Sequence, residues 1–192
     1  MLKKQLTFYT PEEYLALEEK ADYKSEYFNG EIFAMAGGSY NHNVIAGNIN
    51  AALNQYAESK PSVAFTSDMR VLVKANGLYT YPDAMLVCGQ VEFAEGRNDT
   101  LTNPLIIVEV LSKSTRDYDR GFKFESYRLI ETLQDYLLID QERVHVEYFH
   151  KLEDGRWVLI ETNLPEAELT LQAINFTLPI SHIYHKVEWF RE

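Results

Sequence analysis

The chain has 192 residues, of which 46% are hydrophobic and 24% are charged, and these proportions are ordinary for a soluble globular protein. This length predicts a single domain over residues 1–192, with a core that buries about 70% of the unfolded surface. The formal net charge of −11 argues against a protein that binds nucleic acid through a broad basic surface, because such binding depends on Lys and Arg at phosphates.

Cysteine usage and hydropathy indicate the compartment. Cys88 is the only cysteine, so no disulfide can form within the chain, and a reducing compartment is expected. Met1-Leu2-Lys3-Lys4 is not followed by the apolar stretch of a signal peptide, and no apolar run approaches the length of a membrane-spanning helix. The sequence therefore predicts a cytoplasmic protein without a membrane partner.

Two helices are predicted in the first third of the chain. Thr10-Pro11-Glu12-Glu13 begins the first, since Thr10 can cap it, Pro11 suits its first turn and Glu13 completes a capping box. The second runs from about Tyr40 to Ser59, and its inward-facing stripe begins with His42. A histidine at the start of an apolar face is more often a hydrogen-bonded core residue than a catalytic one.

Lys24–Phe28 and Glu31–Ala36 are predicted to form a β-hairpin, because Asn29-Gly30 between them favours a type I′ turn. Cross-strand pairing in this register places Glu26 and Glu31 on the same face of the hairpin. Either carboxylate could approach a metal-binding cleft, and a solvent-facing hairpin edge accounts for each of them equally well.

An acidic residue stands inside the most apolar strand that the sequence predicts. Residues Leu105–Leu111 are aliphatic apart from Glu109, and Pro104 precedes them, which is typical of a central strand. Burial of an ionised carboxylate costs several kcal/mol unless a cation or strong donors compensate it. Glu109 is therefore expected either to bind a cation, or to pair with a buried Arg or cap a nearby helix.

Pro82-Asp83 opens another predicted strand, Ala84–Cys88, and places a second carboxylate at the strand entrance. If this strand lies beside the Glu109 strand, about 4.8 Å away, the two carboxylates can converge on one side of the sheet. Adjacent anions repel unless a cation lies between them, and a few oxygen ligands with open positions suit Mg²⁺ or Mn²⁺. An ordinary turn is the simpler explanation for Asp83 when this residue is considered alone.

Ser112–Thr115 can cap a helix that is predicted to run to about Ile130. An ammonium on this helix could stabilise the charge that builds on an attacked phosphate, or could position a water nucleophile. Asp117 and Asp119 could neutralise the basic residues of this helix. At about 100° per residue, one sector of the helix holds four functional groups, which are those of Arg116, Arg120, Lys123 and Tyr127.

The remaining segments complete an α/β fold with a mixed central sheet, flanking helices and hairpins at the edges. Tyr136–Ile139 is expected to run parallel to the Glu109 strand, and Val144–Phe149 with Trp157–Ile160 forms a second hairpin. The polar segment Gly89–Asn103 has no predicted element, and a loop of this length could cover the cleft. Aromatic residues near the carboxyl terminus would serve a core or the surface of a homodimer: Tyr148, Phe149, Trp157, Phe176, Trp189 and Phe190.

These residues resemble the PD-(D/E)XK nuclease superfamily, whose pattern is an Asp, a variable gap and then Glu-x-Lys on the next strand. More closely, the chain resembles the Uma-type restriction endonucleases, a family defined as a domain of unknown function. The resemblance covers nearly the whole chain and is carried by Phe28-Asn29-Gly30-Glu31, His42, Tyr81-Pro82-Asp83, Ile107-Val108-Glu109-Val110-Leu111-Ser112, Ser114-Thr115-Arg116, Lys123 with Tyr127, and Asp135-Tyr136-Leu137-Leu138-Ile139-Asp140.

The resemblance implies a restriction-endonuclease-like fold and a divalent metal, Mg²⁺ or Mn²⁺. The implied ligands are the carboxylates of Asp83 and Glu109 and the backbone carbonyl of Val110. His42 would line the site as a phosphate donor or as a group that orients a ligand.

The position of the catalytic lysine departs from the superfamily pattern, because Leu111 stands where Glu-x-Lys requires a lysine. In the Uma-type proteins this role is thought to have moved to the following helix, where Lys123 corresponds to it, with Arg116 and Tyr127 as supporting residues. Lys113 lies an even number of residues after Glu109, so it would be on the same face of an extended strand, and it is the alternative candidate for the catalytic lysine.

Three functions are compatible with this pattern. The first is a Mg²⁺- or Mn²⁺-dependent endonuclease that hydrolyses DNA phosphodiester bonds. The second is a non-catalytic module for nucleic-acid or protein binding that retains the nuclease fold. The third is a carboxylate-pair hydrolase such as a glycosidase, and it ranks last because its chemistry gives the basic helix no role.

Overall fold

The structure is a computed structural model that describes residues 7–189, so Met1-Leu2-Lys3-Lys4 and Phe190 lie outside the described residues. The helical segments are α1 (Pro11–Glu18), α2 (Tyr40–Ala57), α3 (Arg116–Tyr118), a π-helical turn (Asp119–Lys123), α4 (Phe124–Tyr127) and α5 (Ile180–Ile183). The strands are β1 (Ser25–Phe28), β2 (Glu31–Ala34), β3 (Ser62–Thr66), β4 (Arg70–Val73), β5 (Leu78–Thr80), β6 (Ala84–Cys88), β7 (Thr100–Leu101), β8 (Ile106–Leu111), β9 (Asp135–Asp140), β10 (Val146–Lys151), β11 (Trp157–Thr162), β12 (Glu168–Leu171) and β13 (Phe176–Pro179). Within the described range, no helix combines the length and the apolar composition needed to cross a membrane.

The amino-terminal elements follow the local signals of the sequence. At the start of α1, the hydroxyl of Thr10 accepts a hydrogen bond from the backbone N–H of Glu13 (3.2 Å), and the Glu13 carboxylate accepts one from the N–H of Thr10 (2.8 Å). Between β1 and β2, Asn29 and Gly30 have φ angles of 48° and 87°, the left-handed conformations that a type I′ turn requires. The predicted helix start and the predicted hairpin are both confirmed.

A mixed six-stranded sheet forms the centre of the fold, with the strand order β11-β10-β9-β8-β6-β3. Its strand β8, which carries Glu109, runs parallel to β9 and antiparallel to β6. The register pairs Ala84 with Val108, so Asp83, one residue before β6, comes opposite Glu109. This arrangement confirms the predicted α/β fold and the predicted adjacency of the two carboxylate strands.

Alternation along β8 divides its side chains between two cores. One face of the sheet packs against α2, whose buried residues are Ile45, Ile49 and Leu53. The other face holds Ile107 and Leu111, which pack with Tyr127 of α4 and with strands of a second sheet. Glu109 has the same parity as these two residues, so its side chain belongs to the face that α3, the π-helical turn and α4 cover. We call these three consecutive segments the bulged helix.

The second sheet has five strands in the order β2-β1-β5-β4-β7. It contains the β1–β2 hairpin, which was expected at an edge of the central sheet. The segment Gly89–Asn103 also differs from the expectation, because it contains β7, which pairs in parallel with β4. That backbone pairing holds the segment away from the cleft that contains Glu109, and none of its residues lines the cleft. The expectation that this segment covers the cleft is therefore wrong.

Most of the carboxyl-terminal aromatic residues belong to the cores. Phe149 and Trp157 pack on Phe124 of the bulged helix, with ring-centroid distances of 4.4 and 5.3 Å. Trp189 is 44% exposed. These residues thus serve mainly the core, and the homodimer remains a prediction.

Leu53→Ala should destabilise the fold, because the Leu53 side chain is fully buried between α2 and the central sheet. Truncation of a core side chain loses transfer free energy and leaves a cavity, so we expect the free energy of unfolding to fall by about 2–5 kcal/mol. The control is Leu159→Ala on β11, where the side chain is 44% exposed. Urea unfolding should show a much smaller loss for the control, and equal losses would contradict the placement of α2.

Candidate active site

A cleft of about 800 Å³ opens where β8 ends. The β1–β2 hairpin, the start of α2, the end of β8 and the bulged helix surround it. The structure thus brings residues from separate parts of the chain into one cavity. Six of the predicted site residues line it: Glu26, His42, Asp83, Glu109, Val110 and Lys123.

Glu109 is only 3% exposed, and protein donors compensate its charge. Its Oε1 accepts hydrogen bonds from Lys123 Nζ at 3.0 Å and from Tyr127 Oη at 2.7 Å. Tyr127 is fully buried and supports Glu109 from within the core. The carboxylate is therefore paired with a buried lysine, whereas the sequence-based alternative to a bound cation was a buried Arg or a helix cap. Both bonds use the same oxygen.

Lys123 is the centre of a buried charge cluster. It is 5% exposed, and its Nζ lies 3.0 Å from Glu26 Oε1 and 3.4 Å from Asp119 Oδ1, in addition to its contact with Glu109. The second oxygen of Glu26 accepts a hydrogen bond from Tyr118 Oη at 3.0 Å. One ammonium thus faces three buried acidic groups, which leaves an excess of acid in the cleft.

The pKa values in this cluster depend on burial and on the shared ammonium. Burial raises the pKa of Glu109 well above its ordinary value, and Lys123 opposes this rise only in part. Burial raises the pKa of Asp119 in the same way, again against the influence of Lys123. Burial lowers the pKa of Lys123, but the charge of Glu109 and other nearby groups outweighs this, so its pKa lies well above the ordinary value. Lys123 is therefore charged at neutral pH.

Asp83 faces this cluster from the entrance of β6. Its Oδ2 accepts a hydrogen bond from the backbone N–H of Val110 at 2.7 Å and lies 3.2 Å from His42 Nε2. Burial lowers the pKa of His42, but the hydrogen bond and the charge of Asp83 outweigh this and raise it above its ordinary value.

The backbone of Val110 also belongs to the site. In a ladder, the N–H and C=O of one residue face the same neighbouring strand, so the Val110 carbonyl lies on the Asp83 side of β8. Pairing between β6 and β8 ends at Ala84 and Val108, so no β6 residue is paired with Val110.

The π-helical turn determines which side chains of the bulged helix reach the cleft. Such a turn holds an additional residue compared with an α-helical turn, and this rotates the residues on one side of it relative to those on the other. The carbonyl of Asp119 inside the turn accepts a hydrogen bond from Tyr136 Oη at 3.0 Å. Lys123 and Tyr127 then both reach Glu109.

The prediction of one cationic face that includes Arg116 and Arg120 is wrong. Arg116 donates a hydrogen bond to Glu142 at 3.0 Å, and Arg120 donates one to Glu147 at 2.9 Å, so both pair with acids outside the cleft. The helix also ends at Tyr127, before the predicted end near Ile130.

Besides Arg120 and the buried Tyr127, three further predicted residues do not line the cleft. Glu31 lies opposite Phe28 on the β1–β2 hairpin and is partly exposed. The Lys113 side chain is 77% exposed and lies 3.4 Å from Glu142. Arg116 shares that partner, as described, and the geometry favours Lys123 over Lys113 as the lysine of the site.

Asp119 is a residue of the cleft that the sequence predicted only as a group that could neutralise the basic helix face. It is 2% exposed, lines the cleft and contacts Lys123. Its spacing of four residues from Lys123 was the available signal, because residues i and i+4 of a helix are neighbours.

The donor set fits a divalent cation that prefers oxygen ligands. Asp83 and Glu109 each use one oxygen in hydrogen bonds, and among residues 7–189 no hydrogen bond reaches the second oxygen of either one. Besides burial and Asp119, the charge of Asp83 raises the pKa of Glu109, which places the two acids within electrostatic range. Two carboxylate oxygens with the Val110 carbonyl would hold such an ion and would leave open positions for water and phosphate.

A second group of three ligand-type residues lies near the β10–β11 hairpin, where His145, Glu147 and Glu161 have ligand atoms within 4.8 Å of one another. Glu147 already accepts two hydrogen bonds from Arg120 Nε, at 2.9 and 3.1 Å. The protein therefore supplies the positive charge there, and the geometry does not require a metal.

The sequence model of the Uma2 family, described as "Putative restriction endonuclease", matches residues 11–181. The chain belongs to this family. It is similar to two curated proteins of Synechocystis sp. (strain ATCC 27184 / PCC 6803 / Kazusa). It is 40% identical to "Uncharacterized protein sll1609" over 83% of this chain and 90% of that protein. It is 36% identical to "Uncharacterized protein slr1290" over 91% of this chain and 90% of that protein.

The fold of this Uma2 family member is also found in a crystal structure. A protein from Anabaena variabilis ATCC 29413, described as a putative nuclease belonging to DUF820, aligns with a TM-score of 0.73. The alignment covers 90% of this chain and 96% of that chain at 18% identity, so the likeness concerns the fold.

Lys123→Met should destabilise the protein more at about pH 8 than at about pH 5. Without the ammonium, Glu109 and Asp119 lose the charge that lowers their pKa values, so both values rise further above those of the unfolded chain. An acid with a raised pKa in the folded state contributes stability at low pH that is lost as the pH rises through that pKa. We expect the free energy of unfolding to fall by about 3–5 kcal/mol at the higher pH, and by clearly less at the lower one.

The matched control is Lys113→Met, since the Lys113 side chain is 77% exposed and its partner Glu142 is 39% exposed. Denaturant unfolding of this variant should match that of the wild-type protein at both pH values. A loss for Lys123→Met that is the same at both pH values would contradict the compensation of buried acids by Lys123.

Proposed function

We propose that this protein is a metal-dependent endonuclease that hydrolyses DNA phosphodiester bonds. The observation that supports the proposal most directly is the pairing of β6 with β8, which sets Asp83 opposite a buried Glu109 whose other neighbour is the Lys123 ammonium. A sheet-borne pair of acids with an adjacent lysine matches the chemistry expected of the family. If Glu109 paired with Lys123 only to stabilise the fold, neither Asp83 nor the excess of acidic groups would be needed in the same cleft.

In this proposal, Asp83, Glu109 and the Val110 carbonyl hold a Mg²⁺ or Mn²⁺ ion. When bound, such an ion polarises the phosphate and lowers the pKa of a coordinated water. Lys123 remains charged in its buried position and stabilises the negative charge that builds on the attacked phosphate.

The other residues of the cleft position these groups. Tyr127 holds the Glu109 carboxylate through its hydrogen bond of 2.7 Å, and His42 holds Asp83 from 3.2 Å. Glu26 and Asp119 fix the direction of the Lys123 ammonium by contacting it from two further sides.

The charge of the chain limits the affinity for DNA. With a net charge of −11, we expect weak and strongly salt-dependent binding unless a homodimer adds basic surface beside the cleft. The proposal includes such a homodimer as the form that binds DNA.

Asp83→Asn and Glu109→Gln should each reduce cleavage of plasmid DNA at least about 100-fold, because each removes a charged ligand at almost unchanged volume. Amide variants are preferable to alanine, since Glu109→Ala would leave the buried Lys123 ammonium without a partner it contacts at 3.0 Å. Chelation of the metal should abolish cleavage by the wild-type protein. The control is Glu31→Gln, outside the cleft, which should cleave normally; normal cleavage by Asp83→Asn or Glu109→Gln in Mn²⁺ would rule out the proposal.

Lys123→Ala and Lys113→Ala should separate the two candidate lysines. The Lys123 side chain is 6% exposed and adjoins Glu109, whereas the Lys113 side chain is 77% exposed and pairs with Glu142. We expect a loss of about 100-fold or more for Lys123→Ala and nearly full activity for Lys113→Ala, in cleavage assays at a temperature where both are folded by circular dichroism. The opposite result would transfer the catalytic role to Lys113.

A further inference from the structure

One wall of the cleft is aromatic, and its side-chain link to the proposed catalytic groups is the hydrogen bond from Tyr118 Oη to Glu26 and the Tyr118 ring beside Lys123. Phe28 and Phe33 of the β1–β2 hairpin and Tyr118 and Phe122 of the bulged helix form it, and we call these four residues the aromatic wall. Phe122 meets Phe28 edge to face, with a centroid distance of 4.6 Å, and stacks on Tyr118 at 5.5 Å. Three of the four rings therefore hold one another in place.

Phe33 is the ring of this wall that remains most open. It is 46% exposed although it lines the cleft. Its backbone is paired with Glu26, whose carboxylate lies 3.0 Å from Lys123 Nζ. A flat apolar group on Phe33 would therefore lie close to the charge cluster where the phosphate is proposed to bind.

The charges of the cleft do not favour a DNA duplex. Its lining contains four acidic residues, and Lys123 is the one Lys or Arg that lines it within residues 7–189. Affinity for duplex DNA comes mainly from several Lys and Arg residues at phosphates. The contact that an acidic cleft can still offer a nucleic acid is an uncharged one, with the bases.

We propose that the aromatic wall stacks against an unpaired nucleobase next to the phosphate that is cleaved, so that the substrate is single-stranded or locally unpaired DNA. This inference rests on the proposed nuclease function and specifies its substrate class. Aromatic side chains bind single strands by stacking, and every base offers a face for this contact. In a duplex the base faces are covered by their neighbours, so a paired base reaches Phe33 only by leaving the stack.

Binding is tested by fluorescence anisotropy with a labelled oligothymidylate, alone or annealed to oligodeoxyadenylate, in EDTA so that metal-dependent cleavage cannot occur. The wild-type protein should bind the single strand more tightly than the duplex. Phe33→Ala should weaken single-strand binding about 5- to 150-fold, the range of one lost stacking contact. Phe33→Leu keeps an apolar side chain and should show a similar loss, whereas Phe33→Trp should retain binding.

The matched control is Phe93→Ala. Phe93 is 40% exposed, close to the value for Phe33, but it lies in an isolated bridge with Leu101 and does not line the cleft. This variant should bind both oligonucleotides as the wild-type protein does. Equal or tighter binding of the duplex by the wild-type protein, or equal losses for Phe33→Ala and Phe93→Ala, would overturn the inference.

Cleavage of the same two oligonucleotides in Mn²⁺ separates this inference from the nuclease proposal. Equal cleavage of both forms, unchanged by Phe33→Ala, overturns base stacking by the aromatic wall and supports the proposed nuclease function. Binding that depends on Phe33, without cleavage of either form, supports base stacking by the aromatic wall and overturns the proposed nuclease function. Faster cleavage of the single strand that falls with Phe33→Ala supports both.

Discussion

The candidate site depends on one buried ammonium. Lys123 contacts Glu26, Asp119 and Glu109, and these three acids come from the β1–β2 hairpin, the π-helical turn and β8. Buried charge is tolerated only where partners and hydrogen bonds compensate its loss of hydration. Each of these elements must therefore take its native position before all four groups are paired as observed, so the second sheet, the bulged helix and the central sheet form the site together.

Much of this arrangement is readable from the sequence because its causes are local. Glu109 is conspicuous because its neighbours in β8 are aliphatic, and the Asn29-Gly30 turn fixes the hairpin register that brings Glu26 to the cleft. Asp83 follows Pro82, which cannot donate to a strand ladder, so the carboxylate is placed at a strand entrance. In these cases a single residue type in a short segment decides the conformation.

The features that sequence reasoning missed depend on distant contacts. The π-helical turn is accompanied by a hydrogen bond from Tyr136 on β9 to the Asp119 carbonyl, and nothing in the helix sequence specifies that partner. A regular α-helical projection therefore grouped Arg116 and Arg120 with Lys123, whereas the structure pairs these arginines with Glu142 and Glu147. Likewise, the assignment of β7 to the second sheet depends on its pairing with β4, about thirty residues earlier in the chain.

The proposed role of the Val110 carbonyl as a metal ligand has a consequence for how such a site would be found by genetics. A ligand supplied by the main chain survives every side-chain replacement at its own position, so systematic mutagenesis would record Val110 only as a core residue of moderate sensitivity. Its contribution would emerge through chemical replacement of the peptide bond by an ester, or through variants of Asp83, whose Oδ2 accepts the hydrogen bond from the same residue's N–H at 2.7 Å.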